Sequence, residues 1–278
     1  MDLQTVTRMC SVCGKDFQAL AIITAQIVCP GCVECAAAAE LIDWKKEELQ
    51  FLPDLLNDRL RYAGFRDVEL SATLEKVPTS IKKVLPKRDV QALLHGQPLD
   101  DAEAFQSFGL TGGQGVGKTM CLAAILRQRT DAQLRVTLNA ITVVPDATSK
   151  PWHDIVRFRW VNWPDASAWL KTTVTLDKGM ATTEDVCRGW IGTPLLVLDD
   201  LGRERMARGA YDEDFANGIL DRVLDARSRA RKATLWTSNL SPASVAKRYG
   251  AALTSRLLGL APVIELAKMP DQRLEPTS

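Results

Sequence analysis

The octapeptide Gly112-Gly113-Gln114-Gly115-Val116-Gly117-Lys118-Thr119 constrains this chain more than any other feature. It fits G-x-x-x-x-G-K-[ST] at every fixed position. The apolar run Phe105 to Thr111 precedes it and reads as a buried strand, and Met120-Cys121-Leu122-Ala123-Ala124-Ile125-Leu126 comes after it and reads as a helix. A strand, a glycine-rich turn and a helix N-terminus, in that order, gather backbone N–H groups and the positive end of a helix dipole around one point. That is a cradle for a polyphosphate. Residues Gly112 to Gly117 and Met120 supply the walls, Lys118 reaches the outer phosphates, and the Thr119 hydroxyl suits Mg²⁺. The chain is expected to bind a nucleoside triphosphate.

Two later strands indicate how the nucleotide is used. Pro194-Leu195-Leu196-Val197-Leu198-Asp199-Asp200 is an apolar run ending in paired acids, the form of a buried parallel strand whose tip enters the nucleotide site. Asp199 is placed to hold the Mg²⁺ shell, and Asp200 to orient or deprotonate an attacking water. A third strand, Ala233 to Asn239, ends in a polar tip. Asn239 there either meets the γ-phosphate and the water, or serves as the turn residue before Ser241-Pro242. Arg256, alone in the apolar helical stretch Leu253 to Gly259, is either a snorkelling surface residue or a finger for transition-state charge in a neighbouring subunit.

The order GGQGVGKT, LLVLDDLG, LWTSNL and ALTSRLLG resembles the AAA+ ATPases of the DnaC/DnaI helicase-loader and IstB transposition-helper group, over roughly Pro86 to Arg273. Phe215 to Arg231 is similar to the helix which that group carries between its acidic strand and its asparagine strand. The resemblance implies ATP as the nucleotide, Asn239 as a sensor, and Arg256 as an arginine finger acting in trans, hence a homo-oligomer. Nothing after Arg256 resembles the helical lid of larger AAA+ proteins, and Asp271-Gln272-Arg273 weakly resembles an ending seen in the group. In one place the chain departs from the pattern. Asp131 to His153 replaces a short turn, and Leu134 to Val144 within it reads as an inserted hairpin or edge strand.

At the N-terminus Cys10, Cys13, Cys29 and Cys32 form C-x₂-C-x₁₅-C-x₂-C. Two such knuckles complete a tetrahedral thiolate site suited to Zn²⁺, with Gly14 and Gly31 supplying tight turns. Five of the seven cysteines lie in the first thirty-five residues. With no signal peptide in view and an ATPase body of cytosolic type, a metal is favoured over disulfides. Cys35 is an extra thiol that can stand in for Cys29 or Cys32, or extend the set toward an iron–sulfur cluster. Cys121 and Cys187 read as packing residues.

Length and charge agree with a two-part plan. A chain of 278 residues has room for one ATPase core and a small metal-stapled module. The net charge of +1 carries no global polyanion signal, and no apolar run is long enough to span a membrane. Arg203, Arg205, Arg208, Arg222, Arg227, Arg229, Arg231 and Lys232 cluster after the acidic strand. They either track a DNA strand through an assembly or form a solvated face with Glu204, Asp212, Asp221 and Asp225. Trp160, Trp163 and Trp169 stack on bases or pack in the core. Val33 to Tyr62 has helical spacing broken near Pro53, and Ala63 to Pro86 reads as a connector.

The expected fold is therefore α/β: a P-loop AAA+ core with a parallel five-stranded sheet and no C-terminal lid (87–278), preceded by a four-cysteine zinc module (1–40) and a helical segment with linker (41–86). The resemblance implies a cytoplasmic, bacterial or phage-encoded protein that loads a hexameric replicative helicase of DnaB type onto single-stranded DNA. Two other readings stay open: an ATP-dependent transposition regulator binding DNA and a transposase, and a nucleotide-gated adaptor with little turnover.

Overall fold

The computed structural model describes residues 5–11, 13–20, 30–95, 107–145, 155–173, 182–204, 210–259, 262–266 and 271. Two compact units divide the chain: Met1–Leu55 with Arg135–Trp152, and Leu56–Leu134 with His153–Ser278. Among the described residues no helix is long and apolar enough to cross a membrane.

In the first unit, β1 (Thr5–Met9) and β2 (Asp16–Leu20) pair antiparallel, Thr5 opposite Leu20 and Met9 opposite Asp16. The turn between them is closed by Cys10 N donating to Lys15 O at 2.9 Å and Gly14 N donating to Cys10 O at 3.0 Å. Gly14 has φ 71°, which a residue without Cβ adopts at no steric cost. Helix α1 (Pro30–Ala63) comes next in the chain and crosses the unit boundary. The expected break at Pro53 is absent: the helix runs through it. A mid-helix proline costs about 3 kcal/mol, and the stripe Leu52, Leu56, Leu60, each almost fully buried, offsets that cost on both sides of Pro53.

The stretch after α1 is not a bare connector. It carries α2 (Asp67–Leu70) and α3 (Thr79–Val84) and leads into α4 (Lys87–Leu94). Phe65, Leu70, Ala72, Val77, Ile81 and Leu85 are buried along it. Its breakers hid this because the helices are too short for a period to show. Gly64, at φ 111°, lies where a Cβ would strike the carbonyl of Trp160, and Phe65 meets the Trp160 ring edge-on at 4.9 Å.

The second unit is built on a five-stranded parallel sheet made by β3 (Phe108–Thr111), β4 (Phe158–Asn162), β5 (Leu195–Leu201), β6 (Ala233–Ser238) and β7 (Val263–Glu265), in the order β4-β5-β6-β3-β7. Its crossovers are α5 (Lys118–Ala140), which crosses the unit boundary after Leu134, α6 (Trp163–Thr173), α7 (Thr183–Gly192), α8 (Ala210–Arg229) and α9 (Pro242–Gly259). Strand β5 shows why both faces are covered. Leu196 and Leu198 join the core formed with α6 to α9, while Leu195 and Val197, equally buried, point to the opposite face by the two-residue alternation of a strand. Trp160 and Trp163 are buried in this unit, and Trp169 packs against the core that holds Trp163. Gly109 on β3 faces Trp236 on β6, and the indole occupies the space a Cβ would take.

The expected hairpin at Leu134 to Val144 is corrected: α5 continues to Ala140. Leu134 and Leu138 are buried while Arg135 and Val136 are exposed, a helical period that the run of β-formers masked. Cys121 and Cys187 are buried as packing residues, and burial pushes the Cys121 thiol up to about 12.

Candidate nucleotide-binding site

The strand order places β3 between β6 and β7, with β5 beyond β6. The loop leaving the C-terminal end of β3 therefore lies beside the C-terminal tips of β6 and β5, where open α/β sheets bind ligands. The loop needs its glycines: Gly112, Gly115 and Gly117 have φ 147°, 73° and 95°. At Gly115 the Asp271 carboxyl also fills the position of a Cβ. Gly117 leads directly into the N-terminus of α5, the positive end of its helix dipole.

A cavity of about 210 Å³ is lined by Gln114, Gly115, Gly117, Lys118, Thr119, Met120, Asp200 and Asn239, together with Lys76, Pro78 and Arg203. Lys118 Nζ donates to Gly112 O at 2.9 Å, Gly113 O at 2.7 Å and Asn239 Oδ1 at 2.7 Å. The last bond joins residues 121 positions apart. Thr119 Oγ1 donates to Asp199 Oδ1 at 2.8 Å. Asp199 is wholly buried, and its Oδ2 has no hydrogen-bond partner among the described residues. Burial raises the Asp199 carboxyl to about 6, against the lowering effect of its bond from Thr237 and with the adjacent Asp200 charge adding to the rise. A carboxylate oxygen held dry and unpartnered beside a threonine hydroxyl is the donor set a hard divalent cation takes. Asp200, which lines the cavity, is a non-glycine residue at φ 60°.

Gly112 to Met120, Asp199, Asp200 and Asn239 are thus brought to one place. Arg256 is elsewhere. It sits past the kink at Gly250 (φ 78°) in α9 and is ion-paired with Asp221 and Asp225 of α8.

Sequence reasoning passed over Thr237, Lys76, Pro78 and the cavity-lining place of Arg203. Thr237 Oγ1 donates to Asp199 Oδ1 at 2.7 Å and accepts from Asp200 N at 2.9 Å, tying both acids to β6. The signal was available, since Thr237 lies two residues before Asn239, at the end of the strand that leads to it. Lys76 and Pro78 come from the supposed connector and had no such signal.

The basic cluster resolves mostly into internal contacts. Arg227 is fully buried, donating to the carbonyls of Trp190, Thr193, Pro194 and Ala233 and to Thr234 Oγ1. Desolvation lowers it to about 9. Lys232 Nζ donates to Ile191 O and Gly192 O, Arg222 grips Glu184 through two bonds at 2.7 and 2.8 Å, and Arg229 pairs with Asp225. Arg227 is therefore withdrawn from any DNA path. Arg205 and Arg208 lie outside the described residues.

In the first unit, the sulfurs of Cys10, Cys13 and Cys32 lie within 4.8 Å of one another. Cys29 lies outside the described residues, as does the Cys35 side chain. Three thiols so close suit a soft, tetrahedral ion.

Fold and cavity together define a P-loop α/β domain built on a five-stranded parallel sheet. Among solved structures, the chain is similar to the DnaC helicase loader, with a TM-score of 0.51 and 19% identity, over 72% of this chain and 99% of that one. It is similar to DnaI to the same degree, with a TM-score of 0.51 and 20% identity, over 75% of this chain and 95% of that one. At these identities the likeness is one of fold. No protein-family model matches the sequence, and no curated protein matches it.

Proposed function

We propose that this chain is an ATPase that loads a hexameric replicative helicase of DnaB type onto single-stranded DNA. The observation that carries the reading is the cavity uniting Lys118, Asp200 and Asn239 with the part-buried Thr119–Asp199 hydrogen bond, on a fold that spans nearly all of the solved chain of a helicase loader. Lys118 exchanges the carbonyls of Gly112 and Gly113 for phosphate oxygens, a charge-assisted and stronger bond. Thr119 and Asp199 would hold Mg²⁺, which would supply neutralising charge to the phosphates when bound. Asp200 accepts a hydrogen bond from the attacking water, and Asn239, released by Lys118, orients it. Arg256 acts on a neighbouring copy, so turnover depends on self-association or on a partner.

The N-terminal module is read as residues 1–40 with zinc held by Cys10, Cys13, Cys29 and Cys32, then a helical segment and linker over 41–86 and the ATPase domain over 87–278. The cysteine cluster supports the loader reading over the transposition regulator, whose group usually begins with short helices. Capture of a purified DnaB-type helicase, with and without ATP, tests the loading role. ATP-dependent capture that is lost in Lys118→Ala is expected. Absence of capture in every nucleotide state, from a preparation that binds ATP, would reject loading and leave the nucleotide site standing.

A further inference from the structure

The turn after Asp200 presents an arginine to the same cavity. Arg203 N donates to Asp200 O at 3.2 Å, and Arg203 Nη1 donates to Asp200 Oδ2 at 3.0 Å. The backbone between them is braced from behind. Gly202 N donates to Tyr249 OH at 2.7 Å and to Glu204 Oε2 at 2.9 Å, and a Cβ on Gly202 would strike the Leu240 side chain. Glu204 is itself held by Arg248 in a nearly buried ion pair at 2.9 Å, and Ser238 Oγ donates to Leu201 O. The main chain is thus fixed, while Asp200 and Arg203 both line the cavity that holds Lys118 and Thr119. The Arg203 side chain is 55% exposed and that of Asp200 15%. Among the described residues the guanidinium engages Asp200 through one nitrogen, which leaves a planar fork able to take a second acceptor. A terminal phosphate at Lys118 is a stronger and bidentate acceptor than one oxygen of Asp200.

Resting on the proposed nucleotide site, we infer that Arg203 is a positioning residue that reports the γ-phosphate in its own subunit. With the site unfilled or holding a diphosphate, Arg203 clamps the Asp200 carboxylate. When a nucleoside triphosphate enters, the guanidinium moves to a γ-phosphate oxygen, and Asp200 is released to receive the hydrogen bond of the attacking water. The clamp makes the hydrolytic acid available only when the bond to be broken is present.

Binding of a non-hydrolysable ATP analogue and of ADP, each with Mg²⁺, tests this on the full chain. Arg203→Ala should weaken the analogue about tenfold and ADP less than about twofold, because only the former carries the group read. Arg203→Lys should recover part of the loss. Asp200→Asn should strengthen the analogue several-fold by loosening the clamp, and the double variant should show no such gain, a coupling that additivity excludes. Equal losses for both nucleotides in Arg203→Ala, or the same gain from Asp200→Asn with and without Arg203, overturns the clamp. Wild-type protein that binds neither nucleotide overturns the underlying site as well, a result separable from the first two.

Discussion

The nucleotide end of the sheet and the N-terminal cysteine hairpin both gather residues from distant points of the chain, by different means. At the sheet, Lys118 comes from the start of α5, Asp199 from β5, and Thr237 and Asn239 from the end of β6 and the turn after it, and the strands beneath them are buried on both faces. At the hairpin, β1 and β2 are five residues each, and Cys10 is the one buried side chain among the described residues of that segment. The first site is shaped by a core that exists without ligand. The second shows little buried apolar area among its described residues, so on the proposed zinc reading a bound ion would contribute the folding energy.

That contrast can be broken most directly by removing metal. Structural zinc sites contribute about 10 kcal/mol or more, so a strong chelator or Cys13→Ser should unfold residues 5–20 and leave ATP binding intact. Hydrogen exchange over both units checks this, with elemental analysis giving about one zinc per chain. Iron with visible absorbance, or protection unchanged by chelation, would sink the zinc assignment.

The chemistry of the sheet end comes next in size. Asp200→Asn and Arg256→Ala should each lower hydrolysis about 10³-fold with ATP still bound, since in the proposed mechanism both act on the transition state. The two separate on mixing. Arg256→Ala combined with Lys118→Ala should regain activity, because an intact P-loop can borrow the arginine of the other chain. A linear sum of residual rates, where wild type self-associates, rules out action in trans and leaves Arg256 as the partner of Asp221 and Asp225.

A third change probes the frame rather than the chemistry. Arg227→Met removes the donor that serves four carbonyls and Thr234. Leaving buried acceptors unmet should cost about 3 kcal/mol in urea unfolding. A loss under about 0.5 kcal/mol, the range of surface substitutions, would show those carbonyls to be satisfied by water.

The smallest effect is a pH dependence. Asp199 is raised from 3.8 to about 6 by burial, so the nucleotide-free protein is stabilised by its protonated form. That contribution is fully present below the ordinary carboxyl range and is lost as pH rises through about 6. Melting temperatures of wild type relative to Asp199→Asn should fall across that window. Mg²⁺ needs the ionised form, so Mg²⁺-dependent ATP affinity should decline below about pH 6, at most about tenfold per unit. A flat profile would mean that Asp199 stays charged in the empty site.

Much of the candidate site was legible because its motifs are local. The glycines, Lys118 and Thr119 lie within one turn and the start of one helix, and Asp199 and Asp200 end a single apolar run. Such spacings are dictated by the geometry of a phosphate and of one strand. Asn239 required the family pattern, and the structure brings it to Lys118 across the sheet. The misreadings have the opposite character. Pro53 looked like a break because local propensity favours one, but the buried leucines on either side of it outweigh that preference. Leu134 to Ala140 looked like a strand because of its composition, although Leu134 and Leu138 are buried at a helical spacing.

By itself the sequence determined a P-loop α/β domain, its acids and a cysteine cluster, since each is written in residues a few positions apart. Only the tertiary structure decided that β3 neighbours β6, that Lys76 and Pro78 wall the cavity, that Arg227 is an internal tie, and that Arg203 grips Asp200. These depend on strand order and burial, which balance the desolvation of each charge against the partners the fold happens to bring near it. No local period encodes that balance.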